Sequence, residues 1–172
     1  MQCPDHSLWT APNGFGKTTL LRLIAHQLFP LHGTISLNGC AHYTAAFCHS
    51  ENLLFNDFSI QKHLNWIKAQ YRLTDDDISR VCDDFQIAQT SRTPNELSKG
   101  QKKWLLLAMT CLIPADIALF DEPLQTLDID KIRRFSSILR DKIDRNTPVF
   151  VTGHDLCRQH LSDILTPVTI RT

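Results

Sequence analysis

Two rhythms of apolar and polar residues alternate along the chain. Short, β-prone apolar runs are separated by longer stretches with helical patterning, an order that predicts α/β layering. HSLWT predicts a strand that feeds a Gly-rich loop, and KTTLLRLIAHQLF predicts the helix leaving that loop, stopped by Pro30. GTISLNG and AHYTAAFC then read as two strands joined by a turn at Asn38-Gly39, a pair that favours tight hairpins. A mostly polar region, roughly 59 to 96, carries two helices, SIQKHLNWIKAQYRL and TDDDISRVCDDFQIA. Thr74 followed by Asp77 predicts a capping box at the start of the second, with Asp in place of the usual Glu. Beyond it, KKWLLLAMTCLI reads as a buried helix, DIALFDE as a strand, DIDKIRRFSSILRDKI as an amphipathic helix, PVFVTG as a strand and DLCRQHLSDIL as a last helix.

A length of 172 residues suits one domain, or one core with a small appended subdomain, and is too short for two full domains. Lys plus Arg and Asp plus Glu are equal at 18 each, so no basic field points to nucleic acid. The longest apolar run, Trp104 to Ile113, falls short of the roughly 20 residues that a membrane helix needs, and no membrane span is expected. The start, MQCPDHSLW, lacks the pattern of a secretory signal. Six dispersed cysteines without a C-x-x-C pair fit free, mostly buried thiols better than a disulfide framework.

Candidate chemistry begins at Ala11–Thr18, APNGFGKT, one residue from the phosphate-loop pattern G-x-x-x-x-G-K-[ST]. Glycines in such a loop let successive backbone N–H groups turn toward a phosphate, and the following helix adds its N-terminal dipole. Lys17 would reach the outer phosphates, and the Thr18 hydroxyl would hold Mg²⁺. Ala11 replaces the first glycine, which is tolerable at negative φ and damaging otherwise. Downstream, DIALFDEP places Asp121 and Glu122 at the end of an apolar strand, where one carboxylate can hold the Mg²⁺ shell and the other can polarise an attacking water.

Phosphate loop, L-S-x-G-Q (here LSKGQ) and D-E-P, in this order, resemble the nucleotide-binding domain of ATP-binding-cassette transporters, and the resemblance runs over essentially the whole chain. It implies an α/β phosphate-loop NTPase fold in a single domain, 1–172. A mostly parallel sheet forms its core, and a helical subdomain is inserted at about 50–112. It implies ATP and Mg²⁺ as cofactors, bound by Asn13, Gly14, Phe15, Gly16, Lys17, Thr18 and Thr19, with Thr18 and Asp121 on the metal. A head-to-tail dimer would bring Ser98, Lys99, Gly100 and Gln101 of one copy over the γ-phosphate held by the other. Ser98 also stands where it can cap a helix, and Lys99 is equally readable as solvated surface. LQTLD resembles the loop after the catalytic glutamate, so Asp128 is expected to reach across the dimer, to cap the next helix, or both. VFVTGHD resembles the family's switch-histidine segment and gives His154 a catalytic role beside Glu122.

His49 stands where the family's glutamine loop carries glutamine. A neutral imidazole there would accept a hydrogen bond from Mg²⁺-bound water, and the coupling is then expected to be acid-sensitive. With FSIQKHLNW about ten positions later, His49 resembles the ATP-binding subunit of the haem exporter of cytochrome c maturation. That branch implies a peripheral subunit at the cytoplasmic face of the inner membrane, or on the mitochondrial matrix side. An integral membrane subunit would be its partner, with the contact in a groove lined by His49 to Phe58 and the helical region after it. Two antiparallel strands that the family carries ahead of the loop are expected to be truncated, with Trp9 and Phe15 the nearby aromatics; either the true start lies upstream, or the base contact comes from a partner. A non-hydrolysing nucleotide-dependent scaffold and a soluble ATPase of the same family are the alternatives.

Overall fold

The structure, a computed structural model, describes residues 5–12, 14–49 and 54–169. Its centre is a sheet of five strands: β1 (His6–Thr10), β2 (Ala45–Cys48), β3 (Ile117–Asp121), β4 (Val149–Thr152) and β5 (Thr166–Thr169). They lie in the order β2-β3-β4-β1-β5, and every pairing is parallel. Parallel strands need crossovers, and helices supply them: α1 (Lys17–Ile24), α2 (Ile60–Tyr71), α3 (Asp75–Phe85), α4 (Lys99–Leu112), α5 (Ile129–Asp144) and α6 (Asp155–Leu161).

Alternation along the strands divides the core between the two faces of the sheet. Leu8, Phe120, Val149 and Val151 join the larger cluster with the helices that include α4 and α5, whereas Trp9, Leu119 and Phe150 join a smaller one with Leu21 of α1. Helix α4 is buried continuously from Lys103 to Thr110. The Lys103 ammonium in this run donates to the Asp121 carbonyl at 3.1 Å, which offsets the cost of burying a charge. The two polar helices bury one stripe each, Ile60, His63, Leu64 and Ile67 in α2 and Ile78, Cys82 and Phe85 in α3. The expected capping box at Thr74 and Asp77 is present.

Three expectations change. Residues 33–44 form no strand pair: Asn38 and Gly39 do make a two-residue turn with φ of 50° and 81°, but it closes only an isolated bridge, Leu37 to Cys40. Most of this segment is exposed, so no buried face rewards a longer ladder, and only Ala45–Cys48 reaches the sheet. Helix α1 stops at Ile24, well before Pro30, as His26 turns into the left-handed region at φ 55°. The edge strand β5 has no counterpart in the sequence reading, because TPVT is exposed or half-buried throughout and shows no apolar run. No helix of the described residues is long and apolar enough to cross a membrane.

Candidate functional site

In a parallel sheet every strand delivers its C-terminal end to the same edge, and register decides which residues meet there. Thr152 of β4 is level with Trp9 on one side and with Asp121 on the other. One residue beyond, the Gly153 N–H donates to the Trp9 carbonyl at 3.2 Å, while Glu122 N–H donates to the Thr152 carbonyl at 3.1 Å. The loop after β1, the carboxylates at the end of β3 and His154 after β4 therefore converge.

Gly14 and Gly16 take φ of 77° and 87°, a conformation that costs glycine least, and nothing lies within 4 Å of the space a side chain would fill at either. Gly16 caps α1 without a side-chain acceptor, so the first N–H groups of the helix face the loop. Asn13 lies outside the described residues. Ala11 is buried and avoids the left-handed region, so its methyl group is accommodated. Buried Lys17 crosses the loop. Its ammonium donates to the Ala11 carbonyl at 2.9 Å and the Pro12 carbonyl at 3.4 Å, contacts His154 Nε2 at 3.2 Å and lies 3.9 Å from Glu122 Oε1.

Three side chains gather at the Asp121 carboxylate. Thr18 Oγ1 donates to Oδ2 at 2.6 Å, Thr152 Oγ1 donates to Oδ1, and His49 Nδ1 lies 3.2 Å from Oδ2. A hydroxyl and a carboxylate in contact form an all-oxygen donor set that fits Mg²⁺. Glu122 is held differently. Its backbone sits at φ 47°, uncommon for a residue with a side chain. Oε1 lies 3.3 Å from His154 Nε2, and Oε2 accepts from Gln125 Nε2. Lys17, Thr18, Asp121, Glu122, His154 and His49 thus form one constellation.

Among the described residues, no hydrogen bond or ion pair joins the second group, Ser98 to Gln101, to that constellation. Ser98 caps α4 in a full capping box, its hydroxyl accepting from Gln101 N–H at 3.2 Å while Gln101 Oε1 accepts from Ser98 N–H at 2.9 Å. Lys99 is exposed. Gly100 abuts the loop after Glu122: a β-carbon there would lie 2.6 Å from the Thr126 carbonyl oxygen. Asp128 caps α5, accepting from Lys131 N–H at 2.9 Å and from the Lys131 ammonium, bonds that hold its carboxyl below the usual carboxylate range. Phe15 is half-buried and Thr19 exposed on the loop and first turn. Burial pushes the Cys48 thiol up and the Cys157 thiol up to about 11, as expected of structural cysteines.

Thr152, Gln125 and Arg22 were missed by the sequence reading. Thr152 and Gln125 lie inside motifs that drew attention to their neighbours, and register and loop closure alone bring them to Asp121 and Glu122. Arg22 follows Thr18 by one helical turn, a spacing that places both on one face of α1. Its guanidinium Nη2 lies 2.6 Å from His49 Nε2.

Comparison with known proteins agrees with this geometry. The family model described as ABC transporter matches residues 10–125. The sulfate/thiosulfate import ATP-binding protein CysA of Rhodopseudomonas palustris is 31% identical over 164 residues, covering 84% of this chain and 46% of that protein. The thiamine import ATP-binding protein ThiQ of Haemophilus influenzae is 37% identical over 128 residues, covering 67% of this chain and 60% of its own length. The chain therefore spans about half the length of these curated relatives. A solved ATP-binding subunit of an ABC transporter shares the fold with a TM-score of 0.82 at 20% identity, covering 97% of this chain and 75% of that one.

Proposed function

The chain belongs to the ABC transporter family, and from that premise we propose that it binds and hydrolyses ATP and couples the cycle to a separate membrane subunit. The observation that carries the reading is the convergence of Lys17, Thr18, Asp121, Glu122 and His154 around the mouth of the loop. The loop N–H groups and the Lys17 ammonium bind the phosphates of ATP. Thr18 and Asp121 would hold Mg²⁺, which would supply neutralisation of the phosphate charge. Glu122 takes a proton from the attacking water, and His154 orients that water and the γ-phosphate. Lys17 lies 3.9 Å from Glu122 Oε1, and the phosphates of ATP would compete for the same ammonium, leaving the carboxylate available as a base.

Ser98, Lys99, Gly100 and Gln101 lie apart from this constellation and end in a capped helix N-terminus, which supports their use on the nucleotide of a second copy in a head-to-tail dimer. Asp128 caps its own helix and is available at that interface. Asn13, Gly14, Phe15, Gly16 and Thr19 complete the nucleotide contacts. The 1–172 chain acts as one nucleotide-binding domain, with 50–112 as its helical subdomain. The partner-facing surface runs from His49 to Phe58, of which 50–53 lie outside the described residues, and the subunit is peripheral at the inner face of a membrane. Haem export in cytochrome c maturation is the finer reading, supported by His49 and FSIQKHLNW; it fails if the protein co-purifies with a membrane subunit whose ATPase is indifferent to haem.

The solution mass of Glu122→Gln with and without Mg-ATP, with Lys17→Ala as control, tests the core of the proposal. The expected result is a monomer that becomes a dimer only with ATP and only with Lys17 present. A mass that ATP leaves unchanged would overturn the dimer mechanism.

A further inference from the structure

The two carboxylate oxygens of Glu122 keep different company. Oε1 lies 3.3 Å from His154 Nε2 and 3.9 Å from the Lys17 ammonium. Oε2 accepts from the side-chain amide of Gln125, and among the described residues no other side chain bonds it. An ionised carboxylate offers acceptors only, so the amide must present its nitrogen here. Gln125 returns to Glu122 a second time through its backbone N–H, which donates to the Glu122 carbonyl at 3.4 Å. Side chain and backbone of one residue therefore both close on the residue three before it. Glu122 depends on such a hold, because its side chain leaves a backbone at φ 47° and is 25% exposed, too open for packing alone to fix it. Lys17 and His154 do not replace it: both touch Oε1 only, and the γ-phosphate of ATP would claim both.

We propose that Gln125 is a positioning residue for the hydrolysis step: its amide occupies Oε2 of Glu122, so that Oε1 is the oxygen that receives the proton of the attacking water. The inference rests on the reading that Glu122 is the general base. As the water oxygen bonds to the γ-phosphorus, the bond to the bridging oxygen breaks and ADP leaves with that electron pair, while the water proton passes to Oε1. A proton on Oε1 leaves Oε2 an acceptor, so the amide keeps its bond through the step. Without the amide the carboxylate turns freely about its terminal bond, and the base is aligned with the water for a smaller share of the time. The exposed Gln125 side chain makes no contact with Lys17, Thr18 or the loop glycines, so nucleotide affinity is expected to stay the same.

Gln125→Met tests this, read by Mg-ATP hydrolysis, nucleotide affinity and solution mass. Methionine keeps the length of the side chain and removes the donor, and the backbone bond to Glu122 is retained. The expected result is a kcat lower by about 10- to 100-fold with KM unchanged, the size of effect that misalignment of a reacting group produces. In a Glu122→Gln background no base remains to be positioned, so the same change is expected to cause no further loss of the residual rate and no change in the ATP-driven dimer. A kcat that Gln125→Met leaves unaltered overturns the proposal. So does a loss of equal size in the Glu122→Gln background, or a weakened dimer there; either assigns Gln125 to the shape of the loop, whose Thr126 carbonyl abuts Gly100. If the parent and Glu122→Gln bind Mg-ATP alike and hydrolyse it at the same rate, the general-base reading itself is overturned, and the role of Gln125 with it.

Discussion

Thr152 shows how one hydroxyl ties several parts of the site together. It donates to Asp121 Oδ1 and, at 3.3 Å, accepts from Glu122 N–H, so it fixes both carboxylate-bearing residues to β4. Thr152→Val keeps the shape but leaves a buried carboxylate oxygen short of a donor, a change that typically costs about 1–3 kcal/mol. Urea unfolding is expected to show a loss of that size, together with weaker Mg-dependent ADP binding. Glu122 N–H keeps its bond to the Thr152 carbonyl, so the backbone path at φ 47° is expected to survive the change. Unaltered stability would mean that water already serves Asp121 in place of the threonine.

At the scale of elements, the junction between α4 and the loop after β3 depends on a missing side chain. The space for a β-carbon at Gly100 is closed by the backbone oxygen of Thr126, and a carbonyl cannot swing aside as a flexible side chain can. Gly100→Ala therefore pushes the start of α4 away from the segment that carries Gln125 and Asp128. Overpacking of this kind typically costs about 1–3 kcal/mol. The melting temperature is expected to fall and, if the displaced helix start faces the second copy as proposed, ATP-driven dimerisation is expected to fall more steeply than nucleotide binding. Thr74→Ala is the matched control: it removes a comparable cap on α3, far along the chain from the loop residues, and is expected to lower stability by about 1 kcal/mol without touching dimerisation.

For the molecule as a whole, acid acts in two windows. Burial lowers the pKa of His63 from its ordinary 6.5, against the opposing pull of the Ser59 carbonyl, and in the fold its Nε2 accepts the Phe55 N–H at 3.0 Å. The unfolded ring takes up a proton near 6.5 and the folded ring only at lower pH, so stability is complete above 6.5 and is lost as pH falls below it. Asp77, Glu96, Asp116 and Asp128 have pKa values below the ordinary range, each held down mainly by hydrogen bonds from capping or neighbouring groups. Their contribution is present above the unfolded carboxylate range near 4 and disappears as pH drops through the lower folded values. Thermal melts from pH 8 to 3 are expected to show both steps, and His63→Gln to remove the first alone. A first step that persists in His63→Gln would assign it to another group.

The sequence by itself determined the elements with strong internal signals. Periodicity located α2 to α5 and the three buried strands, and the cap at Thr74 was legible because Thr and Asp bond within one turn. The phosphate loop and Asp121-Glu122 were legible because each lies next to a strand end, whereas His154 stood out only through the resemblance of VFVTGHD to a family segment. Tertiary structure decided whatever depends on register or exposure. It reduced the Asn38-Gly39 hairpin to a single bridge for want of a face to bury, and it added β5 at an edge whose pairing comes from β1 rather than from its own residues. It also brought Thr152, Gln125 and Arg22 to carboxylates and an imidazole distant in the chain. Those contacts rest on which strands are neighbours, a property of the folded sheet that no local stretch of sequence contains.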